Sequence, residues 1–392
     1  MIENVGNNCI GCGSCESVCG LSCITLKPNE EGFLYPEIDR IKCTQCNICE
    51  TVCPVLYNGS MHTISDARIL GIRPKQEKEL EVKQSASAGV FYFIAKKIIE
   101  SGGLVYGAAF DDNHVVKHIC GKTIAEITKM QNSKYVQSDT SGVYKEIGNI
   151  LRNDKEKNIL FCGTPCQCVG LRSYLKQDYN NLYLLDLVCH GVPSPLALKK
   201  YLNYLQEEKK EPLKDFQFRY KYKGWNYHGY MSSYVKFNNH YWPTVRDPYM
   251  NSFLKMTNYR ESCYTCQYNT NIKVSDITLA DFAGVKNIAP DFFCKSGCSE
   301  IFIHTSKGDK LFKLITDQIE SINLTQEQLK GYHTILTQKR NRPAIRDSIY
   351  KGITDNDDKS FVNNNLKKTI TAKSILRFYI PDPIRRILSK KK

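Results

Sequence analysis

Eight cysteines near the start of the chain form two identical runs. They are Cys9-x2-Cys12-x2-Cys15-x3-Cys19 and Cys43-x2-Cys46-x2-Cys49-x3-Cys53, the second beginning 34 residues after the first. Three thiolates on so short a loop can wrap three corners of an iron–sulfur cubane, and the fourth crosses to a neighbouring one. A zinc site takes four ligands in two pairs, which two runs of four do not resemble. The spacing therefore predicts two [4Fe-4S] clusters, one on Cys9, Cys12, Cys15 and Cys53, the other on Cys43, Cys46, Cys49 and Cys19. Pro54 follows Cys53 as such runs prefer, whereas Gly20 follows Cys19. Cys23 falls outside the spacing and reads as a small buried hydrophobe.

The 392 residues hold 18 cysteines in all. No apolar run of about 18 residues occurs, so no transmembrane helix is expected, and the first residues lack a secretory pattern. A chain kept in the cytoplasm has reduced thiols, and clustered cysteines there point to metal or redox chemistry. The formal charge is +14 but unevenly placed. Residues 367–392 carry nine basic residues against Asp382, while the first sixty carry seven acidic against three basic. Basic residues gathered in a tail, rather than on a folded face with aromatics, argue against a nucleic-acid partner.

Beyond a polar stretch at 58–66, strand and helix patterns alternate. Helical spacing covers 88–101, ended by Gly102-Gly103. Strands are expected at 104–110 and 114–120, a helix at 140–152, and a strand at 158–161 running into Cys162-Gly-Thr-Pro-Cys166. A helix continues over 171–176, a buried strand over 182–188, and a hairpin over 216–237. Short strands at 277–279 and 301–304 precede a helix at 309–319. The last thirty residues read as a partly ordered extension. The fold class is α+β: an N-terminal two-[4Fe-4S] ferredoxin-type domain (1–60) followed by a mixed α/β domain, in parts 67–215 and 216–335, with a basic extension at 336–392.

Seven stretches carry a resemblance. They are Ser85-Ala-Ser-Ala-Gly-Val90, Ser133-Lys-Tyr-Val-Gln-Ser138, Gly163-Thr-Pro-Cys-Gln167, Asp186-Leu-Val-Cys-His-Gly-Val-Pro-Ser194, Phe218-Arg-Tyr-Lys221, Arg260-Glu-Ser-Cys-Tyr-Thr-Cys266 and Ser275-Asp-Ile-Thr-Leu-Ala-Asp-Phe282. In this order they resemble the beta-subunit family of coenzyme F-420-reducing hydrogenases and related dehydrogenases, including its bacterial, polysaccharide-locus type relatives. Ala88, Ala280 and Ala283 depart from the family's pattern.

The resemblance implies FAD in the α/β domain and a third [4Fe-4S] cluster. On the residues alone, Gly163, Thr164, Pro165 and Gln167 form either a tight turn or a helix start able to hold a pyrophosphate; the resemblance implies a flavin contact. It implies the same for Ser87, Gly89, Lys134, Tyr135, His190 and Gly191. Otherwise Ser87 reads as a helix N-cap and Lys134 as a solvated charge. Cys166, Cys189, Cys263 and Cys266 are the implied ligands of the third cluster. Cys263-x2-Cys266 also has the spacing of a zinc half-site, and Cys166 and Cys189 could be buried packing. His190 is the candidate catalytic group, able to tune a flavin or donate a proton. Cys294-x3-Cys298 reads as two free thiols or a redox pair.

These features point to an iron–sulfur flavoprotein oxidoreductase that passes electrons between [4Fe-4S] clusters and FAD. The expected partners are a redox protein, either a ferredoxin or an oxidoreductase subunit, and an organic two-electron donor or acceptor. A non-catalytic electron-transfer subunit is the alternative. Basic and apolar residues interleave over 374–392, as in segments that lie on an anionic leaflet at the inner face of a membrane, or in a solvated cationic tail. Residues 1–60 produced anaerobically are expected to take up about eight irons, measured by metal analysis and absorption. Zinc without charge-transfer bands would refute the spacing argument.

Overall fold

In the computed structural model, residues 2–56, 67–225, 233–268, 273–332 and 340–380 are described. The boundary stretch expected at 58–66 and the tail beyond residue 380 lie outside them.

Thirteen strands form three sheets among these residues. Strands β1 (Ile24–Pro28) and β2 (Leu34–Ile38) pair as a hairpin between the two cysteine runs. The main sheet holds β3 (Arg68–Pro74), β4 (Leu104–Phe110), β5 (Val116–Gly121), β6 (Ile159–Cys162) and β7 (Leu182–Leu187). It is completed by β11 (Ile277–Asp281), β12 (Ser299–Ile303) and β13 (Ile319–Leu324), in the order β13-β3-β12-β11-β7-β6-β4-β5. Strands β4, β6, β7 and β11 run parallel, with antiparallel strands on both flanks. The third sheet is a meander of β8 (Phe216–Tyr220), β9 (Tyr234–Phe237) and β10 (His240–Pro243).

Strand periodicity explains the layers, since alternate residues face opposite sides of a sheet. Val105, Leu160 and Leu185 pack with the Val90–Glu100 helix on one side. Tyr106, Ile159, Phe161, Leu182 and Leu184 pack on the other against the Val143–Asn153 and Pro165–Leu175 helices. On the Val143–Asn153 helix, Val143, Ile147 and Leu151 recur every four residues and are all buried. The fold is thus mixed α/β behind a ferredoxin-type N-terminal module.

Several expectations need correction. The helix expected at 309–319 runs from Ser306 to Lys313, capped by Thr305, whose hydroxyl accepts from the Gly308 N–H at 3.1 Å. Ile319 instead opens β13, where register with β3 buries it. The expectations contain no element at Pro195–Lys209. A 15-residue helix forms there, started by the Ser194 cap and a proline in its first turn, as such termini prefer. The segment 336–392 is not simply a basic extension. Ile349, Tyr350, Phe361, Val362 and Leu366 are buried in one core with Phe33 and Tyr201. Apolar residues among its asparagines and lysines drive this packing. The Ala372–Tyr379 helix follows, with Leu376 exposed. Among the described residues no helix is long and apolar enough to cross a membrane.

The N-terminal module is fixed to the body by two arginines. Arg346, nearly fully buried, makes a bidentate pair with Glu31 at 2.5 and 2.6 Å and donates to the Tyr259 carbonyl at 3.1 Å. Arg260 donates through Nε to the Cys9 carbonyl at 2.7 Å, and its guanidinium lies 3.9 Å from the Tyr35 ring centroid. Removing one partner of such a pair leaves the other charge desolvated, so Arg346→Ala is expected to cost roughly 3 kcal/mol. Denaturant unfolding checks this, and an unchanged midpoint would contradict it.

Candidate redox centre

The first cysteine loop needs two glycines. Gly11 and Gly13 have φ of +65° and +83°, and a Cβ on Gly11 would stand 2.2 Å from Gln137 Nε2. Gly13 precedes the Ser14–Val18 helix, which carries Cys15. Cys12 is held by its carbonyl, which accepts from Thr140 Oγ1 at 2.9 Å. Ser14 Oγ lies 3.2 Å from Cys12 Sγ and donates to the Gly170 carbonyl at 2.8 Å. A Cβ on Gly170 would come within 2.7 Å of Cys12 Cβ, so the Pro165–Leu175 helix presents its one residue without a side chain to this loop.

Cys9, Cys12, Cys15 and Cys53 are brought together. Burial pushes the Cys12 thiol up to about 11 and Cys15 higher, and the nearby cysteines add to both. Buried thiolates this close repel unless a cation sits among them, and metal binding would deprotonate them outright. In the other group Cys46 is exposed, while Cys19, Cys43 and Cys49 are half-buried. Cys23 is buried as expected, but its sulfur lies 3.3 Å from Cys19 Sγ, so it borders the second group rather than distant core.

Cys166, Cys189, Cys263 and Cys266, up to 100 residues apart in sequence, also converge. Cys166 lies in the first turn of the Pro165–Leu175 helix, Cys189 follows β7, and Cys263 ends a short 3-10 turn. Burial raises the thiols of Cys166 and Cys189, and pushes Cys263 up to about 12; each also feels other members of the set. Arg340 ties two of the loops by donating to the Cys263 and Cys189 carbonyls at 2.9 and 2.6 Å. Among the described residues no three His, Cys, Asp or Glu side chains converge closely enough to hold a single metal ion.

Between the first loop and this third set lies a cavity of about 310 Å³. It opens at the carboxyl ends of the parallel strands β6, β7 and β11, where ligands bind in open α/β sheets. Ile10 and Gly11 form one wall, Cys166 and Cys189 another. Ser87, Gly89, Lys134, Tyr135, Gly163, Thr164, Gln167, His190 and Gly191 all line it; Pro165, in the first turn of its helix, does not. Gly191 has φ +132°, and a Cβ there would meet the Tyr259 ring at 2.4 Å.

Three side chains behave differently from expectation. Ser87 is not the N-cap, a place taken by Gly89 in the left-handed conformation. The Ser87 hydroxyl donates to the Cys298 carbonyl at 2.6 Å. Lys134 is not a solvated charge. Its ammonium donates to the carbonyls of Lys129, Gln131 and Asn132 at 2.9, 2.5 and 3.3 Å, and burial lowers its pKa to about 7. Gln167 is held by the Thr164 N–H and by Ser138, so this amide braces the turn.

The cavity also has walls that the residue-level reading did not select. Arg219 and Asp281 pair at 2.6 Å there; both fall inside stretches that carry the resemblance, which was the available signal. His118 gave no signal, being one histidine on an edge strand. It stacks on Phe161 at 5.1 Å, and its ring nitrogens lie 2.9 Å from Ser138 Oγ and 3.0 Å from the Cys162 carbonyl.

Does FAD suit these residues? Ligand cavities span roughly 300–1,000 Å³, so this one has room for a fused-ring heterocycle within its walls rather than a whole dinucleotide. Gln137 Nε2, a buried donor without a hydrogen-bond partner among the described residues, stands in the wall. The Gly163–Thr164 turn presents a helix start, and Gly89 and Gly191 keep side chains out. Donors, a helix terminus and an apolar wall fit a flavin in kind.

Burial lowers His118 to about 4, against about 6.5 when unfolded. Between these values the unfolded chain binds the proton and the folded chain does not. Stability is therefore complete above pH 6.5 and lost as pH falls toward 4, by about 3 kcal/mol from this group. His304, lowered to about 4 by burial, adds with the same sign. Unfolding followed from pH 7 to 4 should show this loss, and His118→Asn should flatten part of it; an unaltered slope would contradict the assignment.

Two segments of the chain match known families. Residues 156–327 match the family described as the C terminus of the coenzyme F420 hydrogenase/dehydrogenase beta subunit, and residues 8–56 match the 4Fe-4S dicluster domain. The chain is 21% identical over 346 residues to a protein of Methanosarcina mazei, named as the F subunit of the F(420)H(2) dehydrogenase, covering 85% of this chain and 89% of that protein. It is also similar to a chain in the F420-reducing [NiFe] hydrogenase complex from Methanosarcina barkeri, with 14% identity and a TM-score of 0.46, covering 77% of this chain and 90% of that one.

Proposed function

We propose that this chain is an iron–sulfur flavoprotein oxidoreductase, since residues 8–56 match the 4Fe-4S dicluster domain and residues 156–327 the C terminus of the coenzyme F420 hydrogenase/dehydrogenase beta subunit. One observation carries the reading: a single cavity has both the first cysteine loop and the third cysteine set in its walls. That placement would let electrons from the two N-terminal clusters, and from a third on Cys166, Cys189, Cys263 and Cys266, reach whatever the cavity holds.

FAD, when bound, supplies the exchange between one-electron and hydride chemistry that clusters lack. The Gly163–Thr164–Pro165 turn would hold its phosphates at a helix start. Ser87, Gly89 and Tyr135 would shape the ring's surroundings, with Lys134 and Gln167 bracing the wall. His190 and Gly191 would sit toward the reacting edge, His190 holding a proton there. Substrate would be an organic two-electron carrier.

The redox partner would dock at the second cysteine group, where Cys46 is exposed. A cytoplasmic protein whose basic tail touches an anionic leaflet is part of the same proposal. The second reading, a non-catalytic electron-transfer subunit, draws on the name of the Methanosarcina mazei relative, which is itself one subunit among others.

Anaerobically purified protein is expected to hold one FAD and about twelve irons, as three cubanes of four. Cys263→Ser should remove roughly four irons and leave the N-terminal eight. Its flavin should stay bound yet be reduced slowly by a ferredoxin donor. Full iron retention would refute the third ligand set. Absence of flavin in the wild type would favour the electron-transfer reading.

A further inference from the structure

Among the six thiols outside the three cysteine sets, Cys294 and Cys298 lie together on the loop behind the cavity wall. Cys294, Lys295, Ser296 and Gly297 make a turn closed by the Gly297 N–H to the Cys294 carbonyl at 3.2 Å. Cys298 folds back so that its sulfur accepts from the Cys294 N–H, also at 3.2 Å. Cys294 is half-buried and reachable from solvent, whereas Cys298 is fully buried. The Cys294 thiol donates to Glu79 Oε1 at 3.5 Å, so a carboxylate is at hand to take its proton. The cations facing the pair are Lys221 and Arg73. An accessible thiol beside a sheltered second one is the arrangement of an attacking and a resolving cysteine.

The loop is also stitched to the cavity. The Cys298 carbonyl accepts from Ser87 Oγ at 2.6 Å, and Ser299 Oγ accepts from the Ala88 N–H at 3.1 Å. Lys221 spans the two segments, donating to the Ser87 carbonyl at 2.7 Å and to that of Ser296. Gly297, at φ +127°, lies so close that a Cβ would be 2.4 Å from the Ser87 carbonyl carbon. The loop therefore cannot change shape without moving the segment that carries Ser87.

We propose that Cys294 and Cys298 are a thiol–disulfide exchange site for small disulfides, whose bridged and open forms set the position of the cavity wall at Ser87. Cys294 thiolate attacks one sulfur of the disulfide; a mixed disulfide forms and one thiolate leaves. Cys298, deprotonated, then attacks the Cys294 sulfur, the internal bridge forms and the second thiolate leaves. Two cysteine thiols are oxidised, one small disulfide becomes two thiols, and the two cysteine protons end on them. Burial pushes the Cys298 thiol up to about 12, which disfavours it as the first attacker and leaves Cys294 to begin. None of this depends on what fills the cavity.

The test uses the full chain, prepared anaerobically, treated with oxidised glutathione, alkylated and peptide-mapped by mass spectrometry. The wild type should yield a Cys294–Cys298 bridge without glutathione, and Cys298→Ser a single glutathione on Cys294. Cys294→Ser should yield neither. Two alkylated thiols in the wild type, or a stable glutathione adduct on its Cys294, would overturn the exchange site. Hydrogen exchange of residues 82–89 should differ by about twofold or more between bridged and open wild type. Equal exchange would overturn the coupling to the wall. Neither readout requires flavin, so a chain lacking it would fail the function above while leaving this inference decidable.

Discussion

Arg260 is the contact on which the remaining geometry rests. Its side chain is almost wholly buried, donates to the Cys9 carbonyl, and lies over the rings of Tyr35 and Phe33. A guanidinium is weakly hydrated and presents a planar fork, so it can bridge a backbone oxygen and an aromatic face where a lysine could not. It also belongs to the stretch that carries Cys263, so one residue ties the first cysteine loop to the third set. Gly11, pressed against Gln137 and Arg260, is held at the cavity by that tie. Without it, the wall at Gly11 would lose that anchor, while Arg346, Thr140 and Ser14 would still hold the module to the body.

The cysteine runs were legible because ligation is local: a loop of seven residues carries three thiolates, and spacing alone encodes them. Helices and strands with a single buried face, such as Val143–Asn153, were legible for the same reason, since their period is written in adjacent residues. What joins the parts was not. Arg346 meets Glu31 across 315 residues, and the carbonyl-bound ammonium of Lys134 looks in sequence like any surface lysine. Tyr350 packing on Phe33 at 5.5 Å is likewise invisible in a segment rich in asparagine and lysine. His118, a solitary histidine, acquires meaning from the ring and hydroxyl beside it.

The cysteine sets differ in surroundings. The first is mostly buried and the third half-buried against helices and loops of the body, while the second reaches solvent at Cys46. Desolvation raises the cost of charge and so tunes a cluster's potential, whereas exposure lets a partner approach. The chain thereby arranges its thiols by depth with no change in ligand chemistry.

The Glu31–Arg346 pair has a consequence in time. At about 5–20 residues per second of synthesis, Glu31 leaves the ribosome roughly 15–60 s before its partner exists. Throughout that interval the N-terminal module lacks Arg346, and for most of it Arg260 as well. Iron insertion at Cys9 to Cys53 can therefore occur on an undocked module, and closure of the native structure waits for the end of the chain. A ribosome stalled before Arg260 would display that module without either clamp.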